Sequence, residues 1–331
     1  MHNCSRYLIF FQYIGTKYSG VVKVPPHQLD KKGVQDHLEC IILLDSSQDP
    51  PVTDSRHLYR PAQLYLLQED AIRRLRPLNP VSLSISSRTD RGVHALSNSA
   101  HFDLQRAPNK PPFAEDILAE ALNFHLRTEQ IRITRAYHVP ADFHARFQAQ
   151  SRTYVYRIAL GVSHHSQLPL TDCNLCWNLR DTELNVGAIR EAAALLVGTH
   201  DFSSFRAFNS DMPFKSPVKT LEVASIEPGS TFAHTHFHRE IPFWELTFKS
   251  RSFLYKQVRR MTGALVAVGQ GRLSVPQLKE LLEARDSLAY PQNLAAPAYG
   301  LFLSRVDYRE EDLQRSPHTS DRELPSSEKH K

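Results

Sequence analysis

Four cysteines in 331 residues are too few for a disulfide scaffold and point to a reducing compartment. Cys173 and Cys176 form one Cys-x-x-Cys, but no second pair follows at finger spacing, and Cys4 and Cys40 stand alone, so structural zinc is not expected. His234, His236 and His238 alternate as ligands on one strand face would. They lie in a polar stretch without a carboxylate pattern and read as a solvated cluster. No metal and no cofactor is expected. No window approaches the roughly 18 uninterrupted apolar residues of a spanning helix, so no membrane contact is expected either. A first strand beginning near Tyr7 leaves no room for a signal peptide or an Arg-rich presequence, and targeting is not legible from this end. Neither a Gly-x-Ser-x-Gly elbow nor a phosphate-cradling glycine loop is present, which argues against a serine hydrolase and a nucleotide-binding fold.

What is present is a folded chain, 41% apolar, of a length at which a single core usually stops growing. The net charge of +5 and pI near 9.0 are mildly basic, a sign that suits a polyanion without requiring one. Alternation and β-branched content predict strands at Tyr7–Tyr13, Val81–Ser86, Ala100–Leu104, Ile131–Val139, Arg152–Leu160, Val218–Ile226, Phe243–Ser250 and Gly300–Tyr308. Helical spacing predicts helices from about Val34, at Pro111–His125, Asn185–Val197, Leu254–Val268 and Val275–Ala284. In the Leu254–Val268 helix, Leu254, Val258, Met261, Leu265 and Val268 form one apolar stripe, with Lys256, Arg259 and Arg260 off it. Two halves of similar content without strict βαβ alternation indicate an α+β body on mixed, mainly antiparallel sheets. Residues 311–331 are Ser, Pro and charge without periodicity, a disordered tail.

The densest chemistry lies at Ser87-Arg88-Thr89-Asp90-Arg91-Gly92-Val93-His94-Ala95-Leu96. Gly92 allows the positive dihedral of a tight turn, which leaves Asp90 at the tip, and Arg88 can grip a phosphate or neutralise a charge. In isolation, an Arg-Thr-Asp loop is more often a solvated turn. This run, however, resembles the hallmark loop of the tRNA pseudouridine synthase A family. The resemblance continues in order through Asp142-Phe143-His144-Ala145-Arg146-Phe147, Ser151–Arg157, Gly198–Phe202, Ser216–Thr220, Gln257–Met261 and Gly300–Leu303, and it covers most of residues 7–308.

The resemblance implies two related domains whose sheets meet at a central catalytic cleft, usually in a homodimer. Here they are residues 1–140, which carry the Asp loop, and residues 141–310. It implies an isomerase that detaches uracil from its ribose, turns it and rejoins it through carbon, in tRNA or another structured RNA. It assigns Asp90 as nucleophile, attacking the sugar or the ring, Arg259 as the cation that pairs with it, and Tyr154 as the ring that stacks on the target base and assists proton removal. Tyr156 follows on the same strand face, and Arg88 takes the space a flipped nucleotide vacates. The positive groups Arg88, Arg91, Arg146, Arg152, Lys256, Arg259 and Arg260 are expected around the cleft. Ser87, Arg91, Ser97-Asn98-Ser99, Tyr13-Ile14-Gly15 and Gly20-Val21 depart from the family pattern and bear on substrate contacts more than on chemistry. They resemble the divergent animal pseudouridine synthase-like branch, which implies a mitochondrial location, with a cytoplasmic or nuclear one as the alternative.

Between Leu38-Glu39 and Glu69–Ile72, residues 40–68 interrupt a helix that the family keeps whole, with Asp49-Pro50-Pro51 and Arg60-Pro61 inside. This is either an inserted loop or an unspliced stretch; a run ending Leu-Tyr-Leu-Leu-Gln is what a pyrimidine-rich tract and acceptor site would encode, which favours the second. An RNA-binding protein or chaperone of the same fold without catalysis is the rival function, and an Asp90–His94 hydrolase a more distant one.

Overall fold

The computed structural model describes residues 4–18, 20, 34, 75, 77–80, 82–208, 216–231 and 240–313. Apart from Val34 itself, which is buried, the helix expected from it, the 40–68 interruption and the alternating histidines fall outside these residues, as does the tail beyond Leu313.

Among the described residues, ten strands follow in chain order: β1 (Cys4–Tyr13), β2 (Ser84–Ile85), β3 (His94–Gln105), β4 (Ile131–Val139), β5 (Ser151–Ala159), β6 (Trp177–Asn178), β7 (Gly198–Asp201), β8 (Val218–Gly229), β9 (Phe243–Ser250) and β10 (Leu301–Asp307). The helices are α1 (Glu115–His125), α2 (Val186–Leu196), α3 (Gln257–Gly269), α4 (Val275–Ala284) and a single turn, α5 (Glu310–Leu313). All strands join one mostly antiparallel sheet in the order β4-β1-β3-β10-β5-β9-β8-β7, with β2 on β3 and β6 on β5. The expected α+β class with mixed, mainly antiparallel pairing is what forms. The last long strand closes it: β10 lies between β3, to which it is parallel, and β5, to which it is antiparallel. One apolar cluster runs through the sheet from Tyr7 to Val306.

The boundaries that moved have local causes. The strand after the Asp loop starts at His94, six residues before Ala100, because Asn98 and Ser99 are buried with their polar atoms bonded and so do not look like strand in sequence. The strand before the loop shrinks to Ser84–Ile85. Helix α1 begins at Glu115 rather than Pro111, and its first turn carries Glu115 and Asp116, charges that suit the positive end of the helix dipole. Helix α3 begins at Gln257 rather than Leu254, since Lys256 adopts a left-handed conformation (φ 56°). The residues of α3 from Met261 to Gly269 are buried on every side, so it is a central helix and not a one-striped one. Gly263 has no side chain to hold off its neighbour, and a Cβ there would collide with the Leu294 carbonyl, so residues 294–296 cross directly over α3. Helix α5 places an ordered turn where the tail was expected to begin.

The Asp142–Phe147 segment docks on β3 through His101, whose Nδ1 accepts the Ala145 N–H at 3.1 Å. Burial first, and then the charges of His144 and Arg6, hold the His101 pKa down at about 4. The unfolded chain takes up a proton there near 6.5, while the folded chain waits until about 4. The stability this histidine contributes is therefore complete above 6.5 and is lost as pH falls through that window. His101→Asn keeps an acceptor and removes the titration. Its melting temperature is expected to fall a few degrees less than that of the unaltered chain between about pH 7 and about pH 4.5, followed by circular dichroism. An equal fall in both would remove His101 from the acid response.

Candidate active site

The Asp90 loop spans residues 86–93 between β2 and β3, and Val93 N–H closes its turn on the Asp90 carbonyl at 3.2 Å. Its residues alternate: Ser87 and Thr89 are buried, Arg88 is exposed, and Asp90 is partly exposed. Gly92 takes the expected positive φ of 78°. Thr89 Oγ1 and the Tyr13 hydroxyl share a hydrogen bond of 2.8 Å, and Asn98 Nδ2 donates to the Ser87 carbonyl at 2.9 Å. From outside, Gly20 (φ 98°) lies so close that a Cβ there would sit 2.6 Å from the Thr89 carbonyl oxygen and 3.1 Å from Asp90 carbon and Arg91 nitrogen. A loop fixed from this many directions presents its carboxylate in one place.

His94, at the loop's end, is spent on structure. Its Nδ1 accepts the Gly15 N–H at 2.9 Å, which leaves the proton on Nε2 to be donated to the Tyr299 carbonyl at 3.0 Å. The ring stacks on Phe302 at 4.6 Å, and burial lowers its pKa. With both nitrogens occupied, it is no acid or base for Asp90, which removes the hydrolase reading.

Arg259, in the first turn of α3, brings the cation. Its Nη1 reaches Asp90 Oδ2 at 3.2 Å, and its Nε donates to the Ala296 carbonyl at 2.8 Å. Ala296 N–H in turn donates to the Arg259 carbonyl at 3.0 Å. The crossing permitted by Gly263 thus delivers the group that aims the guanidinium. Arg259 and Asp90 side chains are 17% and 23% exposed, open enough for a ligand to reach the carboxylate.

Tyr154 stands on β5 in register with Leu303 of β10, which pairs with Ala95 of β3, two strands from the loop. The ring is buried edge-on against Phe253 at 5.2 Å. Among the described residues its hydroxyl has no hydrogen-bond partner, yet it is not sealed from solvent. Burial raises its pKa most; Arg152 opposes that rise and Asp90 adds to it, so hydroxyl and carboxylate share one field. Tyr156 is fully buried, donates to the Pro297 carbonyl at 2.8 Å, and is packing. The structure therefore gathers Asp90, Arg259 and Tyr154, and leaves the Arg88 side chain exposed without a partner among the described residues.

Two of the expected RNA-facing cations are not available. Arg152 is 7% exposed and its guanidinium is committed to the carbonyls of Ser86, Arg146 and Arg251 and to Ser87 Oγ. Arg260 donates to the carbonyls of Ser204 and Arg206 and lies over the Tyr290 ring at 4.6 Å. Sequence spacing marks an arginine as a charge but does not show which carbonyls fold back onto it. It also missed Tyr255, one residue before the left-handed Lys256. Burial raises that hydroxyl's pKa, with Asp90 raising it further and Arg259 lowering it, which puts Tyr255 beside the ion pair. Tyr13, Gly20 and Asn98 were marked in the sequence only as departures from the family pattern; that they hold the Asp90 loop shows only in their contacts. Among the described residues no group of three His, Cys, Asp or Glu side chains is arranged to hold a metal, and no helix is long and apolar enough to cross a membrane. An open groove of about 420 Å³ between β7, β8 and α4, lined by His200, Val218 and Lys279 among others, contains none of these residues.

Known proteins resemble this chain over most of its length. A sequence model of the family described as tRNA pseudouridine synthase matches residues 192–309. A tRNA pseudouridine synthase-like 1 of Xenopus laevis is 49% identical over 310 residues, 93% of each chain. Its Homo sapiens namesake is 46% identical over 306 residues, 92% of this chain and 90% of that one. The tRNA pseudouridine synthase A of Afipia carboxidovorans is 39% identical over 240 residues, 72% of this chain and 87% of that one. With a loop aspartate paired to a helix arginine beside a strand tyrosine, and relatives of this likeness over nearly the whole length, the chain belongs to the tRNA pseudouridine synthase A family and is more similar to these animal proteins than to that bacterial one.

Proposed function

We infer that this chain is a pseudouridine synthase, an isomerase that converts uridine to pseudouridine in RNA, with tRNA as substrate. The observation that carries the site assignment is the Asp90–Arg259 ion pair, held at a partly open position by a loop whose every other contact is backbone or buried side chain.

We assign Asp90 the nucleophile's part, with Arg259 Nη1 beside its Oδ2 at 3.2 Å holding the carboxylate in place. Tyr154 offers a fixed aromatic ring at the same place, and every base has a face to stack on it. Its raised pKa keeps its hydroxyl protonated, so positioning and hydrogen-bond donation suit it better than proton removal. Arg88, exposed two residues from the nucleophile, is free to enter the gap left by a uridine that leaves its stack. Nothing is consumed: the glycosidic C–N bond breaks, a C–C bond forms at the same sugar carbon, and the proton displaced from the ring carbon is balanced by one gained at the ring nitrogen. The intact Asp90, Arg259 and Tyr154 constellation speaks against a chaperone that has lost catalysis. On the resemblance to the animal branch we also propose a mitochondrial location and a homodimer.

The test is incubation with a uridine-containing tRNA transcript, read by carbodiimide primer extension, with RNA mass unchanged. No new stops over background would overturn the assignment. The exposed cations that remain come from different elements, Arg88 and Arg91 from the loop and Arg146 from the segment after β4. A folded RNA touching several walls should therefore be modified at least about tenfold faster than a short single strand of the same local sequence, with affinity falling steeply in salt. Equal rates in competition would make local sequence, and hence messenger RNA, the determinant.

A further inference from the structure

The buried guanidinium of Arg152 is a hub. It donates to the Ser86 carbonyl at 3.1 Å, the Ser87 hydroxyl at 3.2 Å, the Arg146 carbonyl at 2.9 Å and the Arg251 carbonyl at 2.6 Å. Three chain segments that meet nowhere else in sequence, the start of the Asp90 loop, the turn before β5 and the end of β9, are thus pinned around one cation. Two of the pinned residues are themselves arginines. Arg146 and Arg251 are exposed, and neither makes an ion pair among the described residues. The pinned carbonyls hold the roots of both side chains next to the hub, which also bonds Ser87, three residues before Asp90.

The backbones of two exposed arginines are therefore held on a third, buried one at the edge of the site, and every oxygen that Arg152 bonds is neutral. Burial lowers the Arg152 pKa most, Tyr308 and Tyr154 oppose that fall, Arg146 and Arg251 add to it, and no carboxylate is among these neighbours. Such a cluster is stabilised by an anion, and a flat, forked cation suits the oxygens of a phosphate. We propose that Arg146 and Arg251, seated on the Arg152 hub, form a phosphate-binding site for the RNA backbone next to the nucleotide presented to Asp90. This rests on the pseudouridine synthase reading, which supplies an RNA strand at that loop. The site does two things: it neutralises a phosphodiester, and it ties its position to the Asp90 loop through Ser86 and Ser87. Binding would therefore register the target nucleotide against the carboxylate.

The experiment compares Arg146→Gln, Arg251→Gln and the pair with a control, Arg272→Gln, an exposed arginine beyond the far end of α3, about 20 Å along the helix from Arg259. Affinity for a tRNA transcript is measured by fluorescence anisotropy across a salt series, with turnover at saturating RNA alongside. Each single change should weaken binding about fivefold near 0.1 M salt and flatten the log–log salt dependence by about 0.7 to 0.9, one phosphate each. Turnover at saturation should fall as well, by about threefold or more in the pair, because the strand is no longer registered against Asp90, while melting temperature should hold, because both side chains are exposed. Salt dependence unchanged in both variants, or an equal loss in the control, overturns the site. An unaltered chain that isomerises uridine while both variants keep its salt dependence refutes the phosphate site alone. An unaltered chain that neither binds nor isomerises tRNA refutes the functional reading and the site together.

Discussion

Asp90→Asn is expected to abolish pseudouridine formation, with turnover down by more than about a thousandfold. The change is nearly isosteric. Asparagine still offers an oxygen to Arg259 Nη1, and the bonds that shape the loop, from Tyr13 to Thr89 and from Asn98 to Ser87, involve other side chains. What is lost is the negative charge and with it the nucleophile. RNA affinity should stay within a few-fold of the unaltered chain, since the residue is proposed to contact the reacting nucleotide and not a phosphate. Carbodiimide primer extension on a tRNA transcript checks the first expectation and anisotropy the second. Turnover above about a hundredth of the starting rate would remove Asp90 from the nucleophile's place.

The second large effect is at Arg259. Arg259→Ala should lower turnover by about a hundredfold or more, and Arg259→Lys by a smaller but clear factor of about ten. The guanidinium makes two directed contacts, Nη1 to Asp90 at 3.2 Å and Nε to the Ala296 carbonyl at 2.8 Å. Lysine restores a charge, but as a single point on a flexible stem it cannot hold both partners at once. The stability cost should be small, about 1 kcal/mol or less, because the pair is partly exposed and screened by solvent. A large loss of turnover beside a nearly unchanged melting temperature separates a site residue from a structural one. Alanine at full turnover would show that the ion pair is incidental.

Strong local patterns were legible. The strands Ile131–Val139 and Phe243–Ser250 and the helix Val275–Ala284 form with the ends their alternation or spacing predicts, and Ser274 with Gln277 caps that helix reciprocally. The start of β3 was not legible, since Asn98 and Ser99 satisfy their side-chain polar atoms against Tyr13, Ser86, Ser87 and Tyr308, which the chain brings from elsewhere. The two-residue strand β6 and the short β7 carry too few residues for any periodicity to show.

Residue order alone places Asp90 on a glycine-bearing loop between strands, Tyr154 on a strand and Arg259 on a helix, and carries a tRNA pseudouridine synthase A signature. These follow from backbone permissions and side-chain spacing within short windows. Which charges are free depends on the packed fold. Arg152, Arg259 and Arg260 look alike as letters; one became a buried hub, one the partner of Asp90 and one a clasp on Ser204 and Arg206. The difference arises because a guanidinium's role depends on which oxygens surround it, and those oxygens arrive from segments up to 169 residues away.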